Sequence, residues 1–117
     1  MAVDKSLQTG STTMLVLSLL DREDMYGYQM IEVLAARSDR TFELKAGTLY
    51  PLLKLLEDQE CIVSYEQATQ AGRIRKYYHI TDTGRTLLAE KQREWMTFSR
   101  AVDRVLKGGS DVAKVCG

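Results

Sequence analysis

The sequence predicts a small, mostly helical α+β domain: three helices, a two-stranded hairpin and one long terminal helix. Three observations carry that expectation. Apolar residues recur at helical spacing through the first sixty positions. Two runs rich in β-branched and aromatic residues, 62–66 and 73–80, flank a polar stretch. The last third carries apolar residues seven apart, with no Pro to interrupt them. At 117 residues with a single Pro, the chain holds one moderate core, and an elongated part of it needs a second copy to cover its apolar face.

The elements follow in order. From Thr12 to Leu20 the chain is apolar nearly all round, with Ser11 or Thr12 as N-cap and Asp21-Arg22-Glu23-Asp24 closing it. A second helix is expected from a cap at Asp24 or Met25 to about Ser38, with Tyr28, Ile31, Leu34 and Ala35 on one face and Gly27 giving close packing in its first turn. Thr41 to Leu44 alternates, as a short strand or extended link does. The next helix is expected from Thr48 as cap to about Glu60, which places Pro51 third, where its missing N–H costs nothing. Leu49, Leu52, Leu53 and Leu56 then face the core, and Thr48, Tyr50, Lys54 and Asp58 face outward. The hairpin pairs Ile62–Glu66 with Arg73–Ile80 across Gln67–Gly72. Ile74, Tyr78 and Ile80 share one face, and Arg73, Arg75, Tyr77 and His79 the other. Thr81-Asp82-Thr83-Gly84 starts the long helix, which Gly108-Gly109 stops; the tail from Ser110 is expected to be flexible.

Charge and composition narrow the function. Lys and Arg number 16 against 16 Asp and Glu, so contact with nucleic acid must rest on a local cluster. Arg73, Arg75 and Lys76 form one, with no acid between Gln67 and Thr81. The longest apolar run, Met14 to Leu20, is too short to span a bilayer, and no export signal precedes it, so a cytoplasmic protein without membrane contact is expected. Cys61 and Cys116 read as reduced thiols. The lone His79 reads as a hairpin surface residue, and Asp21, Glu23 and Asp24 as a solvated turn. With no phosphate loop or nucleophile elbow, an enzyme, a metal site and a cofactor are not expected.

This order of elements describes a winged helix-turn-helix with a long C-terminal dimerisation helix. Residues 1–80 form the DNA-binding domain, 81–109 the dimerisation helix and 110–117 the tail. The helix from Thr48 enters the major groove and the hairpin reaches the neighbouring backbone or minor groove. Leu88, Trp95 and Val102 are seven apart, as are Phe98 and Val105, and this stripe packs against its own copy in a partner chain. Folding back onto its own domain is the alternative.

Met25-Tyr26-Gly27-Tyr28-Gln29, Gly47-Thr48-Leu49-Tyr50-Pro51-Leu52-Leu53, Leu56-Glu57, Arg75-Lys76-Tyr77-Tyr78 and Ile80-Thr81-Asp82-Thr83-Gly84 together resemble the PadR family of bacterial transcriptional regulators, over about residues 12–98. The resemblance implies a homodimeric repressor that binds a pseudo-palindromic double-stranded DNA operator and is released by a small molecule. The short terminal region looks like the smaller subclass with a single C-terminal helix. The expected DNA-binding set is Tyr26, Lys45, Thr48, Leu49, Tyr50, Lys54, Arg73, Arg75 and Lys76. Family members usually carry Gly where the recognition helix meets the wing, whereas Glu60-Cys61 stands here, and a left-handed cap strains a non-Gly residue.

Trp95 has two readings, an interface core residue or a wall of a cavity between two long helices that stacks on a flat aromatic effector. The expected ligand and dimer set is Met14, Leu88, Trp95, Met96, Phe98, Val102 and Val105. Two alternatives stay open at this point: a dimeric winged-helix module that binds protein, and a drug-binding sensor without strong DNA binding.

Overall fold

The computed structural model describes residues 5–108, with side chains from residue 11 onward. Seven elements run in the order α1 (Lys5–Arg22), β1 (Met25–Tyr26), α2 (Gly27–Arg37), α3 (Ala46–Asp58), β2 (Ile62–Ala68), β3 (Ile74–Ile80) and α4 (Asp82–Lys107). The strands form one antiparallel sheet in the order β1-β3-β2. This is the winged helix-turn-helix arrangement with a long last helix. The flexible tail expected from Ser110, with Cys116 in it, lies outside the described residues.

Helix α1 starts at Lys5 rather than at Ser11 or Thr12, and it runs through Gly10. A capping residue marks where a helix can begin, and one Gly, at about 1 kcal/mol against Ala, does not end it. Val16, Leu17, Leu19 and Leu20 are all buried, which accounts for their apolar character on every side.

The start of α2 differs for a tertiary reason. Met25 and Tyr26 are not a cap but a two-residue strand, paired with Tyr78 and Tyr77 of β3. The helix therefore begins at Gly27, and its buried residues are Gly27, Met30 and Leu34. Tyr28, expected on that face, points to solvent. The chain turns at Ser38–Arg40, where the Ser38 hydroxyl donates to the Leu34 carbonyl at 2.8 Å and accepts from Phe42 N–H at 3.0 Å. Residues 41–45 form a link without strand pairing.

Helix α3 starts at Ala46, two positions before the expected Thr48, with Lys45 as its cap. Pro51 is consequently its sixth residue, and the Gly47 carbonyl loses its helical donor. Gly47 is exposed, so its carbonyl is open to solvent rather than buried without a donor. Leu49, Leu53 and Leu56 are buried with Leu52 packed beside them, as the spacing predicts.

The end of α3 closes on a left-handed residue. Glu60 has φ 60°, and its N–H donates to Glu57 O at 3.0 Å while Cys61 N–H donates to Leu56 O at 2.9 Å. These two bonds are the pair a Schellman motif makes, with Glu60 at the position Gly prefers.

Strand β2 runs two residues further than the sequence pattern suggests, and a short loop closed by Thr69 and Arg73 joins it to β3. The inward face of the sheet is Met25, Tyr78, Ile80 and Ile62, all buried. Ile74, expected on this face, is 67% exposed because the hairpin extends past the helices that would cover it. Helix α4 opens on Thr81, whose hydroxyl accepts from Gly84 N–H at 3.1 Å. Its first turns close the core through Gly84 and Leu88, and its remainder leaves the domain with Trp95, Met96, Phe98, Val102, Val105 and Leu106 exposed.

Candidate nucleic-acid interface

Helix α3 presents Lys45, Thr48, Tyr50 and Lys54 to solvent while its leucines hold it in the core. Leu49, grouped with the DNA-facing residues, is fully buried and anchors the helix instead. Tyr50 and Lys54 are four residues apart and share a face. Thr48 and Lys45 lie on another side, beside an apolar groove of about 700 Å³ lined by Leu15, Leu34, Phe42, Leu44, Leu52 and Leu55.

The wing meets α3 and α2 across a cleft of about 540 Å³. Tyr26, Gly27, Tyr28, Tyr50 and Tyr78 form its floor and one wall, and Arg73, Arg75 and Lys76 form the other. The fold thus brings Tyr26, Tyr50 and the three wing cations together, although Tyr26 is far from the rest in sequence. Glu32 is the acid on this cleft.

Strand alternation separates the cations into different environments. Arg75 stacks its guanidinium over Tyr26 at 4.2 Å from the ring centre, a contact of about 0.5–1 kcal/mol at an exposed site. Lys76, on the opposite face, stands 4.0 Å from Glu57 and 5.6 Å from the Tyr78 ring centre. Glu57 is fixed in turn by the Ser64 hydroxyl, which donates to it at 2.7 Å. Arg73 lies in the loop with an exposed side chain. All three still line the same cleft, with Arg75 resting on Tyr26 and Lys76 beside Glu57 on the opposite face of β3. Burial, and then the charge of Glu57, raises the Tyr78 hydroxyl above its ordinary value, so Tyr78 stays neutral as the floor of the cleft.

The outer sheet face holds a cluster that the sequence alone did not disclose. Register aligns Tyr26, Tyr77 and Tyr65 in one row. Tyr77 meets Tyr26 edge-on at 5.5 Å and stacks with Tyr65 at 5.7 Å. Asp24, just before β1, accepts the Tyr65 hydroxyl proton at 2.6 Å and lies 2.7 Å from His79 Nδ1. Burial pulls the Asp24 carboxyl upward, but the hydrogen bonds from Tyr65 and His79 and the His79 charge outweigh it, so the group titrates below its ordinary value. The same bond, with smaller contributions from burial and charge, raises the Tyr65 phenol. Asp24 is thus a clasp between the α1–β1 turn and both wing strands, not a helix cap. Its signal in the sequence was the spacing of Asp24 and Tyr26 against Tyr77 and His79, which is legible only once β1 is known to pair.

The residues proposed for an interface on α4 divide. Leu88 is buried within its own chain and Met14 is half-buried against the same core. Trp95, Met96, Phe98, Val102 and Val105 are exposed, with the Trp95 and Phe98 rings 6.0 Å apart. Cys61 is buried, and burial raises its thiol, which keeps it protonated and unreactive. Among the described residues no helix is long and apolar enough to cross a membrane, and no three His, Cys, Asp or Glu residues gather as metal ligands.

This fold is shared with known regulators. A PadR-like transcriptional regulator from Bacillus cereus is 30% identical, with TM-score 0.77 over 89% of this chain and 99% of its own. A PadR family transcriptional regulator from Eggerthella lenta is 38% identical, with TM-score 0.72 over 86% of both chains. An uncharacterized protein of Lysinibacillus sphaericus is 32% identical over 99 residues, covering 85% of this chain and 91% of that one. The model of the transcriptional regulator PadR-like family matches residues 16–90, from the buried half of α1 through the wing to the first turns of α4, and the chain belongs to that family.

Proposed function

We propose that this PadR-family regulator acts as a homodimeric repressor, binding a pseudo-palindromic double-stranded DNA operator and leaving it when a small aromatic effector binds. The observation that carries the DNA reading is the cleft, where Tyr50 of α3 faces the cations of the wing. Tyr50, Thr48 and Lys54 serve the major groove, with hydroxyls for base edges or phosphates. Lys45, Arg73, Arg75 and Lys76 neutralise phosphate, and Tyr26 supports Arg75 from beneath. Residues 1–80 act as the DNA-binding domain and 81–109 as the dimerisation helix, whose first turns also complete the domain core.

The exposed stripe from Trp95 to Val105 supports the dimer, since apolar side chains in such a row on a free helix favour burial against a second copy. Trp95 and Phe98, side by side on this stripe, suit a flat aromatic guest between two such helices.

Selection from a random duplex pool at moderate salt tests the proposal. The expected product is an inverted repeat with half-sites about 10 bp apart. Retention of single, unpaired sites would refute the dimeric mode, and retention of nothing above background would shift the function toward protein binding. Quenching of Trp95 fluorescence by an aromatic compound that also releases the operator is the expected effector response, and quenching without release removes the regulatory link.

A further inference from the structure

We infer that Gly27 is a positioning residue that holds the Tyr50 phenol in the orientation α3 presents to DNA. The inference rests on the reading of Tyr50 as DNA-facing and adds what fixes its geometry. Gly27 is the first residue of α2 and is buried. A β-carbon at Gly27 would stand 2.5 Å from the Tyr50 hydroxyl oxygen, 2.7 Å from Cζ and 2.9 Å from Cε1. The phenol therefore lies flat on the first turn of α2.

The backbone gives no other reason for glycine here. Gly27 is not among the residues with positive φ, and alanine is the better helix former. The three atoms nearest the added carbon all belong to the outer end of one rotatable side chain. A methyl group at position 27 thus leaves both helices in place and turns the phenol away. Tyr50 forms the α3 side of the cleft, facing Arg73, Arg75 and Lys76. Glycine at 27 therefore preorganises the hydroxyl against the wing, so less rotamer freedom is lost when DNA binds.

The test uses Gly27→Ala, Tyr50→Ala and the double variant, with the duplex recovered from the pool. Gly27→Ala is expected to weaken binding about three- to tenfold, the range that ordering one such side chain supplies. Its Tm should not fall. In the Tyr50→Ala background, the Gly27 substitution is expected to change nothing further. Losses that multiply, an unchanged affinity, or a drop in Tm large enough to account for the loss would each overturn the inference. A DNA-free measurement separates it from the reading beneath it. Nuclear Overhauser contacts between the Gly27 α-protons and the Tyr50 ring are expected in the free protein, and their absence overturns the positioning. If the contacts are present but Tyr50→Ala binds DNA normally, the DNA-facing role of Tyr50 fails, and the role of Gly27 in binding fails with it.

Discussion

Replacing Glu60 by glycine should raise stability, and the size of the gain follows from the turn that ends α3. Glu60 sits at φ 60°, where an L-residue is strained by about 1–2 kcal/mol. Glycine removes that strain but returns about 0.5–1 kcal/mol as extra freedom of the unfolded chain. Among the described residues the exposed Glu60 side chain has no hydrogen-bond or ion-pair partner to offset the difference. Its useful group is the backbone carbonyl, which accepts the Thr81 hydroxyl at 2.6 Å and is unchanged by the substitution. The two ranges leave a net gain centred at about 0.75 kcal/mol and at most about 1.5 kcal/mol, or about 2–5 °C in Tm at the centre for a domain of this size. Thermal melts followed by circular dichroism, at matched protomer concentration because association shifts Tm, measure it directly. A Tm that stays level or falls, with helix content intact, would refute the argument that the left-handed turn is strained.

The remaining expectations concern other junctions. Gly84→Ala drives a methyl group into the Cys61 carbonyl and against the Ile80 side chain; the carbonyl is backbone and cannot yield cheaply, so a loss of about 3 kcal/mol is expected in urea melts, and a loss below about 1 kcal/mol would mean that α4 can slide off the wing. The lowered Asp24 carboxyl contributes stability above its ordinary value of 3.8 that disappears as pH falls through its folded value; Asp24→Asn should flatten the acid limb of the stability profile, and an unchanged limb would remove the clasp from the fold's support. Placing Lys at both Phe98 and Val105 puts charge on the exposed stripe of α4; sedimentation should show the monomer while Tm falls only by what association supplied, whereas an intact dimer would locate the contact elsewhere.

Much of this fold was legible in the sequence wherever a periodic pattern met a single burial boundary. The outward and inward sides of α3 follow from its leucine spacing because one helix face meets one core. Its start at Ala46 was not legible, since Thr48 offers a cap that the folded chain does not use. Strand β1 escaped because it has only two residues and its partner lies some fifty positions away. That omission carried another: without β1, Asp24 has no route to His79 and Tyr65. Tyr28 was misplaced by phase, since the buried face of α2 runs through Gly27, Met30 and Leu34. Ile74 shows the converse, since alternation persists along β3 after the core beneath it has ended. In the candidate interface, the residue types were legible, but their surroundings were not. Arg75 and Lys76 are neighbours in sequence, yet one rests on Tyr26 and the other beside Glu57.

The root of α4 is a hinge with very little play. Thr81 donates its N–H to the Cys61 carbonyl at 3.0 Å and its hydroxyl to Glu60, Gly84 lies against the same carbonyl, and Arg85 reaches Asp21 of α1 at 3.2 Å. From Leu88 to Lys107 the helix extends about 28 Å at 1.5 Å per residue. A tilt of about 5° at the root thus carries the tip about 2.5 Å on a shaft of that length. The angle of the whole helix is therefore set by the few contacts at its root, the same ones that fix where Cys61 begins the wing.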